Sequence, residues 1–472
     1  ATKVILSGGE ASTHPLFPHF IRYAREVGYE RVQTVTNGMF YGEKAFFDSV
    51  MEAGLGEITF SLHGHTEALH DHLVQTPGAW KRLIKGLMRA VRHRSRHGWP
   101  IVNIDVVINK QNVGVLDKIV ELGVSLGIKE YDLLHVIPQA EAFRQREQLF
   151  YDVKDHLPML QKVFRLNRLP DFHIWTNRFP VSYLEGLEDL IQDPHKMIDE
   201  VRGRKYHVRR YIDAGEPLDC RQKERCEHCF IAPFCETLDE SIAAVHELGD
   251  AVVEQPLWQT EGPLTLESGA RVQLNRSTAE ELLQRRDELE GVRLHQPSWE
   301  TLAEAAEHDV RDPESFFLGL DRRVTVSGLP ACQAPGTMLV PEELRLPAEV
   351  FEEGRLQWKP LARFHVTERY RAKSVRCREC RVAEKCKGLH INMIRDQGLQ
   401  LARPLVDGEW AEEAEAQLAS WPRPRRMGEG PEPLPIHPSL FGHPPPEEPP
   451  DDPLKNPEKL RRSSFSEPMR DD

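Results

Sequence analysis

The sequence predicts an α/β protein: a parallel sheet flanked by helices, then small cysteine-rich α+β regions and a proline-rich tail. Three observations lead there. Apolar strand-like runs alternate with helical patterns from Lys3 to about Leu134, the signature of successive βαβ units. Polar or glycine-rich residues close the runs. All eight cysteines lie beyond residue 219, seven of them in two tight groups.

The strand-like runs are Val4–Leu6, Val32–Val35, Ile58–Leu62, Ile101–Ile108 and Tyr131–Ile137. The helical patterns between them are Leu16–Val27, Glu43–Ala53, Trp80–His97 and Leu116–Leu126. Functional residues of a parallel α/β sheet gather at the C-terminal ends of its strands. Four short stretches stand there: Ser7-Gly8-Gly9-Glu10, Thr36-Asn37-Gly38, Ser61-Leu62-His63-Gly64 and Asn109-Lys110-Gln111-Asn112. The first presents a carboxylate at a glycine turn. Glycine lets a ligand approach the backbone closely, and a carboxylate suits a positively charged group. Further along, Phe150–Arg165 reads as a helix and Phe172–Trp175 as a last short strand. Leu184–Ile212 is mostly helical and charged. Leu264–Leu274 suggests a hairpin, with helices over Thr278–Glu288 and Trp299–His308. Trp410–Trp421 reads as one helix.

The 472 residues are enough for several domains. We divide them into 1–183, a barrel-like core; 184–245, the first cysteine region; 246–327, a mixed α+β insert; 328–405, the second cysteine region; and 406–472, a charged tail. The tail is rich in proline and is expected to be mostly disordered. The net charge of −13 argues against a nucleic-acid partner. No apolar run approaches membrane-spanning length and no secretory signal is visible, so a soluble cytoplasmic protein is expected. The chain opens on a strand at Ala1 rather than on Met, which suggests a further segment upstream.

Cys226-x2-Cys229-x5-Cys235 recurs as Cys377-x2-Cys380-x5-Cys386. Cys220 completes a set of four with the first triplet and Cys332 with the second. Four thiolates hold either a structural zinc or a [4Fe–4S] cluster, and spacing alone does not separate the two. His390, four positions after Cys386, is a further candidate ligand. His63, His65, His70 and His72 form a second local group, read as strand-end and loop residues rather than as a metal site. Asp105 and Asp132 lie on otherwise apolar strands. Facing the interior they would contact substrate or move protons; facing helices they would be partners of buried cations. The chain has no phosphate-binding loop, and neither a nucleophile elbow nor an HExxH zinc motif.

Gly8-Gly9-Glu10, Thr36-Asn37-Gly38, Ser61-Leu62-His63-Gly64 and His70-Asp71…Pro77-Gly78-Ala79-Trp80 together resemble the core of radical S-adenosylmethionine enzymes. The paired cysteine triplets resemble the auxiliary-cluster extensions called SPASM or twitch domains. In full SPASM domains the triplet continues with x3-Cys; here those positions are Asp239 and His390, so the regions are SPASM-like. The resemblance implies a partial (β/α)6 TIM-like barrel whose first strand lies upstream of this chain. It implies that Gly8, Gly9 and Glu10 hold the methionyl amino group of S-adenosylmethionine. Ser61 would contact its carboxylate or ribose, Asn109 its ribose, and the backbone at Val136-Ile137 its adenine.

The eight cysteines would then hold two auxiliary [4Fe–4S] clusters. The family's catalytic cluster sits on a Cys-x3-Cys-x2-Cys motif, expected upstream because no cysteine precedes Cys220. In the intact enzyme a reduced cluster would cleave S-adenosylmethionine to a 5′-deoxyadenosyl radical, with a flavodoxin or ferredoxin as reductant. A peptide or protein side chain is the implied substrate class. The alternative is an inactive iron–sulfur or zinc scaffold, or an electron-transfer protein, on a degenerate barrel.

Overall fold

The computed structural model describes residues 1–248, 257–320, 323–342 and 344–423. The proline-rich stretch from 424 onward, expected to be disordered, lies outside the described residues. Six strands form one curled parallel sheet in the order β1-β2-β3-β4-β5-β6. They are β1 (Lys3–Leu6), β2 (Arg31–Thr36), β3 (Glu57–Ser61), β4 (Ile101–Ile108), β5 (Glu130–His135) and β6 (His173–Asn177). A strand order that never reverses, with right-handed crossovers, keeps every connecting helix on one side. Those helices include α1 (Phe17–Glu26), α2 (Lys44–Glu52), α3 (Glu67–Val74), α4 (Ala79–His97) and α5 (Leu116–Ser125).

Side-chain alternation separates the two faces of the sheet. On β4, Val102, Ile104, Val106 and Ile108 are fully buried in the main core, each contributing about 1.5–3 kcal/mol by leaving water. Asn103 and Asp105 take the other face. Strand register pairs Thr59 with Asn103, Ser61 with Asp105, and Asp105 with Asp132. Registered partners on parallel strands share a face, so the concave side is polar. It is knit together by Gln33 Nε2 donating to Thr59 Oγ1 (2.8 Å) and Asn103 Nδ2 donating to Glu57 Oε1 (3.1 Å). Lys3 Nζ adds a 2.8 Å ion pair to the second Glu57 oxygen.

α3 was not anticipated. It is one short helix, opened by the Thr66 hydroxyl accepting from Leu69 N, and it carries both His70 and His72. Asp71 on α3 accepts from Gly78 N (2.5 Å) and Trp80 N (2.8 Å), capping the start of α4. That explains the His70-Asp71…Gly78-Ala79-Trp80 spacing. Mid-way along α4, Gly86 lies against the loop after β2. A Cβ there would sit 2.8 Å from Tyr41 Cβ and 2.9 Å from the Gly38 carbonyl. Alanine is the better helix former by about 1 kcal/mol, yet Gly86→Ala is expected to destabilise the chain by about 1–3 kcal/mol through overpacking. A urea melt of the variant measures it.

One core runs through the barrel and on through residues 184–242 and 346–402. A second core is built on a four-stranded sheet: β7 (Arg271–Gln273), β8 (Arg293–His295), β9 (Thr325–Ser327) and β10 (Met338–Leu339). All its pairings are parallel. The hairpin expected over Leu264–Leu274 does not form, and the insert is a second parallel α/β layer rather than mixed α+β. Each of its strands has a single apolar centre, such as Val272, Leu294 and Val326, too short a run to show alternation. The helix Glu409–Leu418 packs into this second core through Ala414 and Leu418, so the ordered part of the chain extends beyond residue 406. Among the described residues no helix is long and apolar enough to cross a membrane.

Candidate functional site

The turn after β1 and the turn after β2 are tied together by one carboxylate. Glu10 Oε1 accepts from Ser12 N (3.1 Å), from the Ser12 hydroxyl and from Thr36 Oγ1 (2.9 Å), while Oε2 accepts from Asn37 N (2.7 Å). A carboxylate oxygen has two lone-pair positions, so Oε2, with Asn37 N as its one donor, keeps room for one more. Beside it Gly8 has φ +146°, and no atom lies within 4 Å of where a Cβ would stand on Gly8 or Gly9. The result is an open notch edged by backbone and by a fixed negative charge.

The turns after β3 and β4 are joined in the same way. Asn112 Nδ2 donates to the carbonyls of His63 (3.1 Å) and Val107 (3.0 Å), and its Oδ1 accepts from Asn109 N (2.8 Å). Asn109 itself is buried. Its Oδ1 accepts from Gln111 N and its Nδ2 donates to Val107 O, so most of its side chain serves the turn. Ser61 ends β3 beside Asp105, and Val136 N bonds to Ile108 O, which brings the Val136-Ile137 backbone next to the Asn109 turn. His63 Nδ1 accepts from Val107 N, and its backbone N–H donates to His70 Nδ1. Burial holds both imidazoles down near 4, so they are neutral structural rings. His72 is exposed on α3.

On the inner face Asp105 and Asp132 are registered neighbours. Asp132 accepts from Asn177 Nδ2. Asp105 Oδ1 is buried without a partner among the described residues. Burial pushes both carboxyls up to about 6, despite the Ser61 hydroxyl beside Asp105 and the Asn177 amide on Asp132; the Asp105 charge adds to the rise at Asp132. A raised carboxyl favours folding of its protonated form. The stability that proton brings is present below the ordinary value near 3.8 and lost as pH rises through about 6. Asp105→Asn is therefore expected to melt like the parent near pH 4 and to gain about 2–3 kcal/mol over it by pH 8. Thermal melts at the two pH values measure the gap.

Both cysteine groups converge. Burial raises the thiols of Cys220, Cys226 and Cys235, and each also feels the charge of Cys229. A hollow of about 200 Å³ lies among Cys220, Cys229 and Cys235. Arg204, which the sequence reading missed, donates to Cys229 Sγ at 3.4 Å. In the second group burial pushes Cys332 up to about 12, with Cys386, Cys377 and Cys380 adding their charges, so the chain brings Cys332 to its triplet across the long connection. Gly388 N donates to Cys386 Sγ (3.3 Å) and Leu405 N to Cys380 Sγ (3.4 Å).

Among the described residues, no three His, Cys, Asp or Glu side chains close on a single ion. Four sulfurs around one zinc would lie about 3.8 Å apart. A cluster of several irons holds its ligands wider than that. The positions of the missing fourth cysteines are structural. Asp239 is held by both Arg221 nitrogens (2.9 and 2.7 Å) and by the Tyr211 hydroxyl. His390 uses one ring nitrogen on Val366 O and the other on Asn392 N, so it caps a helix and stays out of the thiol group.

A cavity of about 370 Å³ lies between the barrel and both groups. His135 and Arg178 reach it from the barrel, Cys229 from the first group and Cys386 from the second.

This chain is similar to enzymes of the radical S-adenosylmethionine class. A probable GTP 3′,8-cyclase of Sulfurisphaera tokodaii is 27% identical over 136 residues, 29% of this chain and 41% of that protein. An AdoMet-dependent heme synthase of Methanosarcina barkeri is 29% identical over 135 residues, 29% of this chain and 37% of that protein. The match thus spans less than half the length of these relatives. The solved structure of Streptococcus suis SuiB bound to S-adenosylmethionine overlaps 37% of this chain and 39% of its own, with 14% identity and a TM-score of 0.30. No family model matches the chain.

Proposed function

We propose that this chain is the S-adenosylmethionine-binding and auxiliary-cluster portion of a radical enzyme that modifies a peptide or protein side chain. The observation that carries the reading is the notch at Gly8, Gly9 and Glu10, with open space over both glycines and one carboxylate oxygen still able to accept. An ammonium group fits it. Gly8, Gly9 and Glu10 hold the methionyl amino group, while Ser61 and Asn109 flank the carboxylate and ribose from the neighbouring turns.

Cys220, Cys226, Cys229 and Cys235 hold one auxiliary [4Fe–4S] cluster, and Cys332, Cys377, Cys380 and Cys386 a second. The hollow of about 200 Å³ among the first thiols supports a cluster there. When bound, such fully thiolate-ligated clusters would supply one-electron redox chemistry. The chain's own residues do the rest. Arg204 offsets negative charge at Cys229, Asp105 holds or releases a proton on the inner face near neutral pH, and the cavity between barrel and cysteines takes the substrate. A flavodoxin or ferredoxin is the matching reductant. The ligands of a catalytic cluster are not among the residues of this chain, so no cleavage step is assigned to them.

Anaerobic reconstitution followed by iron, sulfide and zinc analysis tests the cofactor reading. Iron and sulfide with a broad visible absorption are expected. Bound zinc without iron overturns it.

A further inference from the structure

The second sheet carries a site of its own, apart from the notch and from the cavity between the cysteine groups. The apolar centres of β7, β8 and β9 point into the second core. Of the alternate residues, Arg271, Gln273, Arg293, His295 and Ser327 line a cavity of about 450 Å³. Arg271 and Arg293 are registered partners on neighbouring strands, and both line that cavity. Like charges side by side on a sheet repel. Among the described residues neither guanidinium has a carboxylate partner.

Next to them Trp258 lies against His295, ring centres 5.0 Å apart and 31° between planes. His295 is fixed by Ser327 Oγ at 2.9 Å. A single π-helical turn, His365–Arg369, borders the cavity and brings Glu368 and Arg369 to it. Such single turns are rare and are frequently found at functional sites.

Glu342, the other acid on the wall, is committed to Arg371 at 3.1 Å and lies 3.8 Å from Arg369. Burial and the Glu342 charge push Glu368 up to about 7. The wall is therefore net positive, with flat rings beside its two unpaired cations.

We propose that this cavity binds a small anionic group carried next to a flat ring, with the anion between Arg271 and Arg293 and the ring against Trp258. A bidentate guanidinium suits phosphate and carboxylate alike, and an aromatic face suits a nucleobase or an aromatic side chain. A nucleotide and an acidic, aromatic stretch of polypeptide share that chemistry.

The test is calorimetry on the full chain, reconstituted anaerobically, at low salt. Uridine monophosphate is titrated in one arm and acetyl-Phe-Glu-Glu-amide in the other. Binding of the first alone assigns a nucleotide, of the second alone a polypeptide segment, and of both the shared chemistry. In each of these cases the Arg271→Gln/Arg293→Gln double variant should bind at least about ten-fold more weakly. Trp258→Leu should also weaken binding, and Glu10→Gln should leave it unchanged. No heat from either probe up to millimolar concentration overturns the proposal. So does affinity that survives in the double variant or falls in Glu10→Gln.

Discussion

Replacing Glu10 by alanine is expected to lower affinity for S-adenosylmethionine by at least about ten-fold. The carboxylate does two things at once. It offers a negative charge to an ammonium group, and it holds the strand-end turns of β1 and β2 together through Ser12, Thr36 and Asn37. Hydrogen bonds to a charged acceptor are worth about 1.5–3 kcal/mol each. Alanine leaves the Asn37 N–H and the Thr36 hydroxyl without this partner, so the notch loses its charge and its shape together. Glu10→Gln separates the two effects, because the amide oxygen can still accept while the charge is gone. An intermediate affinity for the glutamine variant is the expected result. Calorimetry with S-adenosylmethionine reads both variants, and affinity unchanged in Glu10→Ala refutes the assigned role.

The second large effect concerns the thiols. Cys235→Ser and Cys386→Ser are each expected to reconstitute with about half the iron of the parent, the other group remaining loaded. Serine is a hard oxygen donor at a position that asks for a soft one, and both sulfurs are buried deeply enough that a free thiolate is costly there. The two groups draw on separate segments and separate hydrogen bonds. Iron falling to zero in both variants, or staying at the parent level in either, would contradict two independent sites. Iron and sulfide analysis beside the absorption spectrum provides the measurement.

The barrel was legible because its signals are long and local. β4 carries eight residues of uninterrupted strand character, and the helices around it keep a clear apolar stripe, so Ile101–Ile108 and Leu116–Ser125 fall where the pattern puts them. The second sheet was not legible. Its strands have two or three residues each, and one buried side chain per strand leaves no periodicity to detect. α3 was hidden for a related reason: eight residues with two histidines read as a polar loop until Thr66 and Asp71 are seen capping the helices.

In the site, the spacing of glycine, carboxylate and cysteine was visible, because chemistry fixes residue type. What sequence alone does not carry is which partners satisfy those groups. Glu10 is held by Thr36 and Asn37 from the next strand, and Arg204 meets Cys229 across 25 residues. Asp105 and Asp132 were undecided between interior and helix side. Their register with Ser61 and with each other, opposite the buried valines and isoleucines of β4, puts them on the inner face.

The second cysteine group has a place in the architecture that the first lacks. Cys377 packs on the main core, whereas Cys380 and Cys386 pack on the core of the second sheet. Cys220 and Cys229 of the first group rest on the main core. The second group therefore bridges two interiors that Leu329 also joins, and whatever joins its four sulfurs adds one more tie to those that Arg363–Glu300 and Arg371–Glu342 already make between the insert and the main body.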